Sequence, residues 1–158
     1  MTRVAITGHR GLPADTTALV DRMLRGAVLR RAADLVGVSC LADGPDSLFA
    51  RAVLDYGGRL IAVVPARTYR AALPVEHHRI YDELLSAAMK VIELDRDESN
   101  ADAHLAAGLR MLDEADELLA VWDGAPARGV GGTADVVAAA RRRGLPVTVL
   151  WPGGATRD

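Results

Sequence analysis

Residues 35–64 read LVGVSCLADGPDSLFARAVLDYGGRLIAVV, and this stretch decides the fold. Leu35 to Ser39 is an apolar run of strand length. Pro45 to Tyr56 follows as a helix, with Leu48, Ala52 and Asp55 on the 3.6-residue period and Gly57-Gly58 as its stop. Leu60 to Val64 is a second apolar run, broken by Pro65. Two strands joined through a helix make a βαβ unit. Their near-continuous apolar character suits strands buried on both faces.

The same rhythm extends in both directions. Arg3 to Thr7 is a strand ending at Gly8, and Thr16 to Ala33 is a helix. Leu73, His77, Ile80, Leu84 and Ala88 mark a third helix, with Pro74 in its permitted first turn. Lys90 to Leu94 is a fourth strand. Asn100 to Ala115 is a helix whose stripe is Leu105, Leu109 and Leu112. Glu117 to Trp122 is a fifth strand, Thr133 to Arg143 a fifth helix capped by Gly144, and Pro146 to Trp151 a last strand. The expected class is α/β: a Rossmann-like, doubly wound, mostly parallel sheet with helices on both faces. One domain is expected over residues 1–152, with a flexible tail at 153–158.

Composition bounds the function. The chain has 158 residues, 50% hydrophobic and 25% charged, which excludes a low-hydrophobicity disordered protein. Its 19 basic residues face 21 acidic ones, for a net charge of -2. On that balance no nucleic-acid partner is expected. No membrane partner is expected either, since no apolar run approaches the roughly 18–20 residues of a span. Cys40 is the single cysteine, so no intrachain disulfide or cysteine metal cluster is possible. The N-terminal residues carry no long apolar leader region, and a cytoplasmic address is the expectation. Alanine and arginine richness suggests a GC-rich, bacterial genome.

In sheets of this kind ligands bind outside the carboxyl ends of the strands, at the switch in strand order. The loops there carry the candidate residues. Gly8, His9 and Arg10 follow the first strand, the glycine admitting a ligand to the backbone and the other two able to meet phosphate or sugar. Ser39, Ala42, Asp43, Gly44 and Asp46 follow the second, where small residues at a helix start suit an anion. Asp46 equally suits the positive end of that helix as a structural acid. Cys40 reads as a buried small hydrophobe. Ser99 reads as a helix cap, whereas Asn100 either caps the helix or bonds a ligand. After the fifth strand, Arg128, Gly131, Gly132 and Thr133 make the best phosphate cradle in the chain. Thr133 either caps the helix or bonds a phosphate oxygen, and Arg128 can close over the ligand.

His77-His78 does not read as a metal site, because adjacent histidines point to different helix faces; His77 reads as packed. No metal and no cofactor are expected. Trp122 and Trp151 read as core or rim. With aromatic residues at 4%, phosphate and ribose contacts are expected to dominate recognition.

Two motifs resemble known families. Ser39-Cys40-Leu41-Ala42-Asp43-Gly44-Pro45-Asp46 resembles the S-G-x-A-x-G-x-D loop of the DNA-processing protein A family. Gly131-Gly132-Thr133, after a strand ending in Trp122-Asp123-Gly124, resembles the G-G-x-G-T loop of the LOG cytokinin-activating phosphoribohydrolases. Both belong to the SLOG superfamily of Rossmann-like domains, and the pattern runs from Arg3 to Pro152. The resemblance implies a pocket for a nucleotide or nucleotide-derived ligand, lined by the loop residues above. It also marks a departure. LOG enzymes carry a glutamate three residues after the threonine, and here that position is Val136, which supplies no carboxylate.

The leading expectation is therefore a small nucleotide-like ligand held by a sensor or carrier. The alternative is N-glycoside hydrolysis or transfer on nucleoside monophosphates. Asp123 or Asp135 would then supply the carboxylate, and Arg10 or Arg128 would grip phosphate. Relatives of this type often form dimers, so a homodimer or higher homo-oligomer is a further expectation.

Overall fold

The computed structural model describes residues 2–31, 33–126 and 132–155. Six strands form one sheet: β1 (Arg3–Gly8), β2 (Val36–Ser39), β3 (Arg59–Val64), β4 (Lys90–Glu93), β5 (Glu117–Val121) and β6 (Val147–Leu150). All five neighbouring pairs are parallel, in the order β4-β3-β2-β1-β5-β6. The expected Rossmann-like α/β architecture is present.

The helices are α1 (Ala14–Leu29), α2 (Pro45–Asp55), α3 (Tyr69–Ala72), α4 (His78–Ala87), α5 (Ala101–Asp113) and α6 (Thr133–Arg142). A 3-10 turn, Val75–His77, precedes α4. Strand alternation splits the core in two. Val4 and Ile6 of β1 and Leu119 and Val121 of β5 share a buried cluster with Val20 and Leu24 of α1 and Phe49 of α2. Ala5, Leu118 and Ala120 belong to the other cluster, with Ala107 and Met111 of α5 and Val137 and Ala140 of α6. No described helix is long and apolar enough to cross a membrane.

Two readings of the helices need correction. The stripe Leu73 to Ala88 is not one helix. Leu73, before Pro74, is extended at φ -75° and ψ 154°, so α3 ends there and α4 starts afresh. A proline ring disfavours the helical conformation in the residue before it. In α5 the fully buried face is Ala103, Ala107 and Met111 with Leu112, while Leu105 and Leu109 are only partly covered. The buried face thus combines small residues with Met111 and Leu112, offset from the stripe that the leucines suggest.

Chain order runs outward from β1 through β2 and β3 to β4, then returns to place β5 on the opposite side of β1. The switch point is therefore between β1 and β5. Their register pairs Gly8 with Val121, so both strands stop at the same height.

Candidate functional site

A cavity of about 330 Å³ opens at that switch point. This lies within the usual size range of small-molecule sites, roughly 300–1,000 Å³. Thr7, Gly8, His9 and Arg10 line it from the end of β1. Cys40, Ala42 and Asp46 come from the β2–α2 connection, and Pro65 and Tyr69 from beyond β3. His104, Gly108 and Met111 face it from α5, and Gly132, Thr133 and Val136 from the start of α6.

The β2–α2 loop is held from inside. The Leu41 N–H donates to Ser39 Oγ at 3.0 Å, and that hydroxyl donates to the Asp46 carbonyl at 3.0 Å. Ser47 Oγ donates to the Ala42 carbonyl at 2.7 Å. His77 Nε2 donates to the Leu41 carbonyl at 3.0 Å and sits 3.1 Å from Ser47 Oγ. Leu41 itself is at φ 60°, a conformation costly for a bulky side chain and sustained by these surrounding bonds. Gly44, at φ 93°, makes the turn into α2 that other residues rarely adopt. His77 is thus a packed structural histidine, as its place on the apolar stripe implies.

The predicted site residues separate. Gly8, His9, Arg10, Ala42, Asp46, Gly132 and Thr133 come together around the cavity. Asp43 stands beside it and engages Arg10, with Oδ1 2.7 Å from Nη2. Ser39 is fully buried behind the loop, its hydroxyl spent on loop backbone. Asn100 caps α5, its Oδ1 accepting from the Ala103 N–H at 2.9 Å. Ser99 is not the cap; its hydroxyl lies 2.8 Å from His104 Nε2. Arg128 and Gly131 lie outside the described residues.

Neither candidate catalytic carboxylate is among the described residues lining the cavity. Asp123 stands behind His9, its Oδ1 3.2 Å and its backbone nitrogen 3.3 Å from His9 Nε2. The Trp151 ring meets His9 edge-on at 5.7 Å. Asp135 sits one residue before Val136, and it is Val136 that faces the cavity. Successive helical residues point about 100° apart, which accounts for the difference.

The carboxyl that does line the cavity is Asp46, the second residue of α2. Burial pushes its pKa up to about 7; the Ala42 N–H and Arg10 pull the other way, and Asp43 adds to the rise. Burial also holds the Cys40 thiol and the Tyr69 phenol well above their ordinary values. His104 is held below its ordinary value by burial and by Arg10. These three are therefore neutral near pH 7.

Tyr69, His104, Gly108 and Met111 escaped the sequence reading. Tyr69 and His104 form an edge contact at 5.9 Å, so a chain with few aromatics still gathers two rings at the cavity. Gly108 was the available signal. A methyl there would stand 2.8 Å from Val136 Cγ2, so its bare backbone is what lets α5 and α6 approach. A glycine inside a helical pattern often has such a packing reason.

No protein-family profile and no curated sequence matches this chain. Solved structures do. DNA processing protein A from Streptococcus pneumoniae superposes with a TM-score of 0.72 at 22% identity, covering 98% of this chain and 51% of that one. The Helicobacter pylori protein of the same name gives 0.71 at 18%, over 98% and 68%. The molybdenum cofactor binding protein of Rippkaea orientalis gives 0.61 at 14%, over 96% and 77%. The chain shares the fold of these proteins. This chain spans about half the length of the pneumococcal protein.

One expectation is overturned here. The Helicobacter structure is described by its single-stranded DNA binding mode, so this fold is compatible with nucleic acid and the exclusion drawn from charge does not stand. Net charge is a whole-chain sum. Phosphate responds to local potential, and a chain near neutrality can still present a positive face.

Proposed function

We propose that the chain binds a nucleotide or nucleotide-derived anion in the switch-point cavity and acts as a sensor or carrier. The observation that carries this reading is the convergence of two helix N-termini, those of α2 and α6, on one cavity whose wall has Val136 where the resemblance calls for glutamate. Helix N-termini present free N–H groups and a positive partial charge. Thr133 and Gly132 add a hydroxyl and a backbone without a side chain to the cavity lining. That a molybdenum cofactor binding protein shares the fold is in keeping with a carrier role.

A thermal-shift panel of nucleoside mono-, di- and triphosphates tests the reading. A ligand at 100 times its dissociation constant adds about 2.7 kcal/mol. Gly132 is extended, at φ -74° and ψ 175°, so Gly132→Val leaves the backbone unstrained while filling the approach to α6. The variant is expected to fold normally and lose the shift. An undiminished shift would place the ligand elsewhere.

The alternative, N-glycoside cleavage, draws on the contact between Asp123 and the cavity-lining His9. Incubation with AMP and dAMP, followed by detection of free base, separates the two. Turnover that disappears in Asp123→Asn would replace the sensor reading with the enzymatic one.

A further inference from the structure

Asp46 is a carboxyl in the wall of a cavity built to receive an anion, and that conflict carries an inference. We propose that Asp46 meets the anionic group of the ligand as a neutral carboxylic acid, donating a hydrogen bond to it, so that binding takes up a proton. The inference rests on the anion-binding reading above.

The geometry sets the terms. Asp46 occupies the first turn of α2, where the helix end favours a negative charge, and it lines the cavity. An ionised Asp46 and a bound anion would compete for the same positive end. Among the described residues, no cation beside Asp46 is free to hold both charges at once. Arg10 is engaged by Asp43, its Nε donating at 2.9 Å and its Nη2 standing 2.7 Å away. The Ala42 N–H reaches Asp46 Oδ2 at only 3.4 Å, a weak hold on a carboxylate. Asp43 adds a second negative charge to the same loop.

The other groups facing this region come from β1, α3, α5 and the loop itself. They are His9 beside Asp123, Tyr69, His104 beside Ser99, and Cys40 beside Met111. Cys40 and Tyr69 are held protonated and neutral, and His104 is held toward its neutral form. Asp46, at about 7, changes charge in the middle of the physiological range before any ligand arrives. A second negative charge nearby disfavours ionisation further. The protonated form supplies an O–H donor, and a hydrogen bond from it to an anion is of the short, charge-assisted kind.

AMP is the probe, and Asp46→Asn is the variant that keeps an uncharged donor at this position. If only the protonated carboxyl accepts the ligand, a site titrating near 7 makes wild-type affinity fall about tenfold between pH 6 and pH 8. The readout is the ratio of wild-type to Asp46→Asn affinity at each pH. In that ratio the titration of the AMP phosphate cancels. The ratio is expected to fall about tenfold over this range. Calorimetry of the wild-type protein alone, in two buffers of different ionisation enthalpy, is expected to show nearly one proton taken up per AMP at pH 8. A flat ratio with no proton uptake overturns this inference and leaves the anion site standing. A ratio that rises with pH also overturns it, because the carboxylate would then be the contacting form. If neither folded protein binds AMP across the range, both this inference and the reading beneath it fail.

Discussion

The β2–α2 and β4–α5 connections occupy equivalent places in the topology, each leaving the carboxyl end of a strand and entering a helix, yet they are built in opposite ways. In the first, Leu41 is 1% exposed and Ser39 fully buried, and the polar groups bond inward to backbone. In the second, the Asp95 and Asp97 side chains are 94% and 84% exposed and are held from outside by Arg67. One connection leaves β2, inside the sheet beside β1, and lines the switch-point cavity. The other leaves β4, at the edge of the sheet. The difference teaches that position along the sheet, not loop composition, decides which loop becomes a cavity wall. A central loop has neighbours on every side, so its polar groups must be satisfied by protein. An edge loop can give them to water.

Three substitutions test how deep that contrast runs. His77→Leu should have the largest effect, because it leaves the Leu41 carbonyl only the Ser47 hydroxyl at 3.2 Å, a donor already shared with the Ala42 carbonyl at 2.7 Å. The expected loss is about 1–3 kcal/mol, read by urea unfolding, with part recovered in His77→Gln. A loss within error would mean that the loop holds its shape without this bond. Asn100→Ala removes the side-chain cap of α5 on the exposed connection. About 1 kcal/mol should go, with the fall in Tm as the measure. Arg67→Ala deletes two ion pairs in the open and should lower Tm least of the three, and less still in high salt. If Arg67→Ala proved as damaging as His77→Leu, the division into an inward-bonded and an outward-bonded loop would collapse.

A pH series on the apo protein sharpens the same comparison. Asp46 has a folded pKa raised above its unfolded value. Its contribution to stability is complete below the unfolded pKa of about 3.8 and is lost as pH rises through the folded value of about 7. Asp46→Asn should therefore match wild type near pH 4 and melt higher at pH 8, by about 2–4 °C for each kcal/mol recovered. Equal melting at both pH values would mean that Asp46 is solvated in the folded chain.

Much of the fold was legible because alternating apolar runs and helical stripes report burial directly. All six strands lie where their Val, Ile and Leu content put them. Pro74 marked the start of the third helix in the sequence, and a helical turn does begin right after it; the short helix Tyr69–Ala72 before it carried no stripe of its own to read. The site was legible only as loops. Asp46 read either as part of the ligand loop or as a first-turn acid, and Asp123 and Asp135 read as the spare carboxylates. Whether a carboxyl faces a cavity depends on how far its helix has rotated, and loop spacing does not encode that.

His104 and Tyr69 illustrate the remainder. They are far apart in sequence and belong to different stripes, with nothing local to couple them. The strand order alone, with β5 returning beside β1, brings α5 over the cavity and its His104 against Tyr69. The alternation of elements, the aliphatic core and the loops at the carboxyl edge follow from local periodicity and composition. Only the tertiary structure decided which carboxyl is in the wall, which rings meet there and which loop turns its polar groups inward. Those are contacts between distant segments, and their energies depend on burial that no single segment possesses on its own.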